Sequence, residues 1–288
     1  MRSDRYQQIK QVLLLILLLN WGVALAKIIY GLTTHFTSMT ADGYHSLSDG
    51  ASNIIGIIGI SIASRPADQD HPYGHKKYET LFSLAIAGLL FFVCFNLLSE
   101  GLRHLTHPVS SKINLASFII MIFTSFVNLF VMNYEYKKGK MLNSDILISD
   151  SMHTKADIFT SMSVIVALVA GKLGYPIIDP IITIVIALFI GYVAFSIIKQ
   201  SSHILCDTAV ILEEKVISDI VLAVKGVKAC HKIRTRGRID DIHLDLHVQV
   251  NPDMHVDNAH KISYKIEEAI KQNIAGVTDV VVHVEPKE

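Results

Sequence analysis

Two short stretches place three ionisable side chains at the same spacing. Asp42, His45 and Asp49 fall in DGYHSLSD, and Asp150, His153 and Asp157 fall in DSMHTKAD; both read Asp-x-x-His-x-x-x-Asp. On a helix, offsets of three, four and seven put all three residues on one face. Both stretches lie inside apolar runs long enough to cross a bilayer, where each charged group costs a few kcal/mol on insertion scales, so a functional reading is the default. The bland alternative is that His and Asp merely pair to hold two helices together. Ser or Asn would do that at lower cost and would not need the pattern twice. Two imidazoles and two carboxylates from facing helices make a four-coordinate N2O2 set that suits Zn2+. The candidate ligands are His45, Asp49, His153 and Asp157. Asp42 and Asp150, one turn toward the outer ends of their helices, would orient the histidines or line the exit path.

Six mostly apolar runs can carry these residues, near 11–33, 37–64, 77–103, 113–134, 143–171 and 176–199. Each is close to the ~20 residues that a spanning helix needs. The second and fifth are too polar for hydropathy alone, because they hold the two motifs. The 288 residues are 51% apolar and only 18% charged, with a mean hydropathy of +0.41; a soluble chain carries about 25% charged residues. A formal net charge of zero gives no footing for nucleic acid. VLLLILLL followed by ALA at 24–26 resembles a secretory leader, but the apolar run continues through IIYGL and completes a span. Arg2, Arg5, Lys10, Arg65, Lys76, Lys77, Lys137, Lys138 and Lys140 lie on one side of the spans, against Arg103, Lys112 and Lys172 on the other. That bias places the N-terminus and the 65–77 and 135–141 loops in the cytoplasm, and an even number of spans returns the C-terminal region there. Lys27, near the middle of the first span, calls for an acid on another helix as its partner. Cys94, Cys206 and Cys230 share no metal spacing and read as packing residues.

The C-terminal region differs in composition, holding 11 of the 26 Lys and Arg within 208–288. Residues 212–225 have helical periodicity, with Leu212, Val216, Ile217, Ile220 and Val224 on one face. A strand fits 229–237. Residues 242–250 alternate, turning Ile242, Leu244, Leu246, Val248 and Val250 inward. A second helix fits 255–272, and VTDVVVHVEP supplies a last strand. This α-β-β-α-β order suits a small sheet with helices on one face. About 80 residues make a marginal independent core, which dimerisation would support.

Together these features resemble the cation diffusion facilitators, a family of divalent-metal/proton antiporters. The resemblance covers nearly the whole chain. It rests on six spans, paired His-x-x-x-Asp motifs on spans two and five, the segment RPADQDHPYGHKKYE at 65–79, and a short α-β-β-α-β tail. It implies an α-helical polytopic membrane protein, with six transmembrane helices over 1–207 and a cytosolic, ferredoxin-like (metallochaperone-like) α+β regulatory and dimerisation domain over 208–288. It implies a homodimer in the cell inner or plasma membrane, no enzymatic activity, and export of a divalent metal against protons. By the same resemblance, His45, Asp49, His153 and Asp157 form the transport site. Asp68, His71 and His75 form a loop site, with Asp70 an extra carboxylate; the alternative there is a solvated polar turn. His231, His243, His260, His283 and Glu285 form a site at the tail dimer interface, with His247 a possible extra ligand. Lys77 and Asp207 match an interdomain charge pair; the alternative is two unrelated interfacial charges. Histidine at both variable motif positions favours Zn2+ as cargo and regulatory ligand, with Fe2+, Mn2+, Cd2+ and Co2+ as alternatives.

Metal requires neutral imidazole and ionised carboxylate, so metal binding expels protons and proton binding expels metal. Histidine titrates near pH ~6.5, which makes the exchange feasible under physiological conditions. A bundle that rocks around one fixed site would then couple a proton gradient to export. A membrane-anchored metal sensor would explain the tail but not the motif buried twice in the spans. An intramembrane metalloenzyme would need an open coordination position, and the chain has no His-Glu-x-x-His.

Overall fold

The computed structural model describes residues 2–33, 37–106, 115–172, 177–210 and 213–287; within these, the side chains of 2, 3, 31, 37–45, 48, 49 and 179, and of parts of the fourth and fifth helices, lie outside the description. The chain divides into two compact units, Met1–Ser201 and Ser202–Glu288.

The first unit holds six long helices, α1 (Arg2–Thr33), α2 (Thr37–Ala63), α3 (Lys77–Thr106), α4 (Leu115–Met141), α5 (Asp145–Lys172) and α6 (Ile178–Leu205). Their polarity is inverted relative to a water-soluble core. Lys27, Asn53, Glu79, Glu135, Asp150 and His153 are buried, whereas Phe92, Phe126, Phe130 and Tyr192 stand 64–70% exposed. Apolar residues outside and paired polar residues inside suit a lipid surround. Among the described residues, Asp4–Tyr30, Lys77–Thr106 and Pro180–Leu205 are long and apolar enough to span by composition alone, and α2 contributes the shorter apolar piece Gly50–Ala63.

One core cluster joins α1, α2, α3, α4 and α5 through Ile9, Leu13, Ile60, Ile86, Val131 and Ile146; another joins α3, α5 and α6 through Leu90, Ala156, Ala187 and Ile190. Close approach depends on small residues of α2. A Cβ on Gly59 would lie 2.5 Å from Phe82, and one on Gly56 would lie 2.9 Å from Ile146, the small-residue helix contact expected in lipid. Arg5 ties three elements together. Its Nη2 bonds Glu79 Oε2 at 3.0 Å and the Asn143 carbonyl at 2.9 Å, while Nε bonds the Leu142 carbonyl at 2.7 Å.

The second unit is α7 (Glu214–Leu222), β1 (Ala229–Arg238), β2 (Asp241–Val250), α8 (Val256–Asn273) and β3 (Val277–Pro286). The sheet order is β1-β2-β3, with β1 antiparallel and β3 parallel to β2. Parallel pairing needs a crossover, which α8 provides. Ile242, Leu244, Leu246, Val248 and Val250 are buried as expected, against Ile262, Ile266 and Ile270 of α8 and Ile217 and Val221 of α7. The first tail helix is shorter than the periodicity predicts, and it turns Val221 inward while Val216 is 47% exposed. Cys206 is exposed rather than packed. His255 is exposed and caps α8, its ring accepting the Asp257 N–H.

Candidate metal centres

In the helical unit, His153 and Asp157 of α5 line one cavity of about 30 Å3, room for an ion with a water or two at about 10–15 Å3 per water-sized probe. Its other walls are Asn20, Val23 and Lys27 of α1, Ser46 and Ser52 of α2, Thr124 and Asn128 of α4, and Thr154 of α5. His153 is only 6% exposed, and its Nδ1 has no hydrogen-bond partner among the described residues. A buried imidazole nitrogen that no described protein group engages is available as a ligand atom. The side chains of Asp42, His45 and Asp49 lie outside the described residues; in sequence, Asp49 falls between Ser46 and Ser52, both of which reach the cavity wall.

Lys27 donates to Ser46 Oγ at 2.9 Å. Asp150 does not orient His153: its carboxyl accepts from Asn53 Nδ2 and stands against Glu135. One helical turn separates the two side chains along α5, and the hydrogen-bonding groups of α2 and α4 lie closer to Asp150. Glu135 was assigned to a loop by its position after the fourth apolar run, but α4 continues through it and buries it completely.

The loop after α2 is framed by its own hydrogen bonds. Asp68 Oδ1 accepts the His71 N–H at 2.7 Å and faces His71 Nδ1 at 3.0 Å, while Asp68 Oδ2 lies 3.4 Å from His75 Nε2. His75 is 4% exposed, and its Nδ1 bonds the Pro66 carbonyl at 3.0 Å. That bond places a proton on Nδ1 and turns Nε2 toward Asp68, the arrangement by which metal-binding histidines are oriented. Tyr78 Oη lies 3.2 Å from His71 Nε2. Gly74, at φ 85°, turns the chain between the two histidines. Partial desolvation pushes the Asp68 carboxyl up, but the bonds from the His71 backbone and ring and the nearby charge of His75 and His71 together hold it below its ordinary range. Ligand atoms of Asp68, His71 and His75 all lie within 4.8 Å of one another. Asp70 is exposed and outside this group.

In the tail, the groups that converge are His231, His247 and Glu285, again within 4.8 Å. Strand register explains the set: His231 pairs with His247 across β1 and β2, and His247 pairs with His283 across β2 and β3. His231 Nε2 is 3.1 Å from Glu285 Oε1, and His247 Nδ1 is 3.2 Å from Glu285 Oε2. The His247 and His283 rings are centred 4.5 Å apart. Gln249 Nε2 donates to Glu285 Oε1 at 3.1 Å. The His247 bond, then Gln249, hold the Glu285 carboxyl below its ordinary range.

His247 is therefore central in this protomer, where the sequence placed it as an optional ligand. His243 and His260 do not join the set. His243 lies four strand residues away, about 13 Å at ~3.3 Å per residue, and faces Asp241 at 3.8 Å and Asp279 at 3.6 Å. The Asp241 bond foremost, and Asp279, raise the His243 pKa against the opposing effect of burial. His260 is exposed on α8 with its ring against Tyr264; α8 covers the apolar face of the sheet, and the histidine cluster occupies the other. Asp207 lies 3.7 Å from Arg236 within its own unit, and Lys77 opens α3 in the helical unit.

A lipid-adapted helical unit with a buried His–Asp cavity, followed by an α+β tail with a His–Glu cluster, defines a metal-handling membrane protein. The cation efflux transmembrane domain matches residues 13–206 and the cytoplasmic domain of cation efflux proteins matches 212–287. The chain belongs to the cation diffusion facilitator family. It is 32% identical over 286 residues to an uncharacterized transporter of Methanocaldococcus jannaschii, covering 97% of this chain and 99% of that one. It is 28% identical to the manganese efflux system protein MneS of Bacillus subtilis (91% and 90% covered) and 26% identical to the cation-efflux pump FieF of Cronobacter sakazakii (88% and 84% covered). The family transports metal cations out across a membrane.

Proposed function

We propose that this protein exports Zn2+ in exchange for protons by alternating access, with His45, Asp49, His153 and Asp157 as the transport ligands. The observation that carries the reading is the cavity on α5, where a buried His153 nitrogen with no hydrogen-bond partner among the described residues and Asp157 face polar walls of α1, α2 and α4. The matching motif on α2 supplies the second His and Asp. Four N and O ligands fill a tetrahedral shell and leave no vacancy for hydrolytic water. Protons arriving at the imidazoles and carboxylates displace the ion, which ties release to the proton gradient.

Mn2+ is the second reading. The cavity wall is rich in oxygen donors, from Asn20, Ser46, Ser52, Thr124, Asn128 and Thr154, which suit a harder ion, and the relative from Bacillus subtilis is named for manganese efflux. The protein would act as a homodimer through the tail, with N- and C-termini cytoplasmic in an inner or plasma membrane. Asp68, His71 and His75 would collect cytosolic metal, and His231, His247, His283 and Glu285 would sense it at the dimer interface. Lys77 and Asp207 would join the two units.

The test is proton movement. In vesicles holding a pH-sensitive dye, a Zn2+ or Mn2+ gradient should drive opposite proton flow through the wild-type protein. The flow should vanish in His153→Ala and Asp157→Ala. Metal flux without proton flow would leave the exporter and remove the antiport.

A further inference from the structure

A buried acidic pair in the helical unit lies outside the metal-ligand sets described above. Glu135 of α4 and Asp150 of α5 are each 0% exposed, and their carboxyls stand against each other. Asp150 Oδ2 accepts from Asn53 Nδ2 of α2, and Asn53 Oδ1 accepts in turn from Asn20 Nδ2 of α1 at 3.2 Å. Glu135 Oε2 accepts from Thr154 Oγ1 at 3.4 Å. The second oxygen of each acid, Asp150 Oδ1 and Glu135 Oε1, is buried without a hydrogen-bond partner among the described residues.

Two ionised carboxylates in contact and out of water repel each other. One proton held between them removes a charge and gives both orphaned oxygens a partner. A metal ion fits worse. The polar groups turned toward the pair, Asn53 Nδ2 and Thr154 Oγ1, donate hydrogen bonds and offer no lone pair in those contacts. Among the described residues no third carboxylate, imidazole or thiolate completes a metal-binding group there.

We propose that Glu135 and Asp150 hold one proton between them and form a proton-carrying site separate from the metal ligands. Its part in transport rests on the antiport reading; the shared proton does not. Hydronium from the outer side gives up its proton, one O–H bond forming on the pair as one water is released. The reverse transfer to cytoplasmic water frees the pair again. Asp150 lies one turn before His153 on α5, so a movement of that helix shifts the pair and the metal cavity together. Other charged or titratable groups on the packed helices include Lys27 of α1, Tyr134 of α4, and Asp145, His153, Lys155 and Asp157 of α5, of which Lys27, His153 and Asp157 line the cavity. Glu79 of α3 is held by Arg5 of α1, and α2 carries His45 and Asp49, whose side chains lie outside the described residues.

Infrared difference spectra of the full chain in lipid nanodiscs, at a pH where exposed carboxylates are ionised, should show the carbonyl stretch of a protonated carboxyl. That band should be lost in Glu135→Gln and in Asp150→Asn. E135Q should keep the wild-type number of bound metals and wild-type metal-for-metal exchange, while losing the acceleration that a pH gradient gives. Absence of the band in the wild type, or its survival in both variants, overturns the proposal. Loss of one bound metal per chain in E135Q also overturns it and makes the pair a metal site. A wild-type band that disappears in both variants, in a protein that shows no proton-driven flux, keeps the shared proton and removes the antiport reading instead.

Discussion

Replacing Arg5 with alanine removes a clamp that the helical unit cannot rebuild. Glu79 is 1% exposed and the Arg5 side chain 17% exposed, so neither charge is well hydrated. Nη2 reaches both Glu79 oxygens, at 3.0 and 3.3 Å, and the Asn143 carbonyl, while Nε holds the Leu142 carbonyl. Removing one partner of a buried ion pair costs about 3–5 kcal/mol, because the other charge is left uncompensated. That is a change of roughly a hundredfold or more in the unfolding equilibrium. Arg5→Lys should lose much of the same stability, since one ammonium cannot span acceptors that a planar guanidinium fork reaches together. Trp21, the chain's one tryptophan, sits in α1 and makes its fluorescence a direct probe of unfolding in mixed detergent. The double variant Arg5→Ala/Glu79→Gln should recover most of the loss, because the buried charge goes with its partner. Equal stability of R5A and the double variant would refute the argument, as would a cost in R5A below about 1 kcal/mol, the scale of an exposed pair.

Three further outcomes follow from the packing and the two exposed clusters. Gly59→Ala should cost about 1–3 kcal/mol by overpacking, since its Cβ would meet Phe82 Cβ and Cγ at 2.5 Å; the same fluorescence assay reads it. Gln249→Leu should weaken metal binding at the tail cluster by about 10–100-fold, the usual cost of losing an outer hydrogen bond to a ligand, while His243→Ala leaves that affinity unchanged; calorimetric titration of the full chain distinguishes them. The Asp68 carboxyl is held below its ordinary value, so its bonds to His71 contribute fully above the unfolded carboxylate pKa of about 3.9 and are lost as pH falls through the lower folded value. Amide exchange at His71 should therefore stay protected through mildly acidic pH in the wild type and lose that protection in Asp68→Asn.

The apolar runs made the helices legible because span length and hydropathy are local properties. Most run ends fall near the observed helix ends, but α1 already begins at Arg2, α6 runs on to Leu205, and α4 runs on to Met141 and carries Glu135 inward. Its end is marked by Lys138 and Lys140 in the last turn and by Asn143 at φ 47° just beyond it, signals that span length and hydropathy do not use. The tail element order was equally legible, and the alternation over Ile242–Val250 correctly gave the buried face. The membership of its histidine cluster was not. Period two puts His243 and His247 on one face, but only the pairing of β3 with β2 sets His283 and Glu285 beside His247. Long-range polar partners were also invisible: Lys27 with Ser46, Arg5 with Glu79, and Asp150 with Asn53 and Glu135 are contacts between helices. The loop histidines were readable as a spacing, and their rigidity rests on the Pro66 carbonyl and Tyr78, which the spacing alone does not reveal.

The first measurement to make is metal flux into proteoliposomes under an imposed pH gradient, comparing Zn2+, Mn2+ and Fe2+, with Asp49→Ala and Asp157→Ala alongside. Gradient-dependent Zn2+ flux that disappears in both variants is the predicted result. Flux of Mn2+ or Fe2+ without Zn2+ would keep the site and change its cargo, whereas undiminished gradient-driven flux in D49A and D157A would contradict transport through the α2–α5 motif pair.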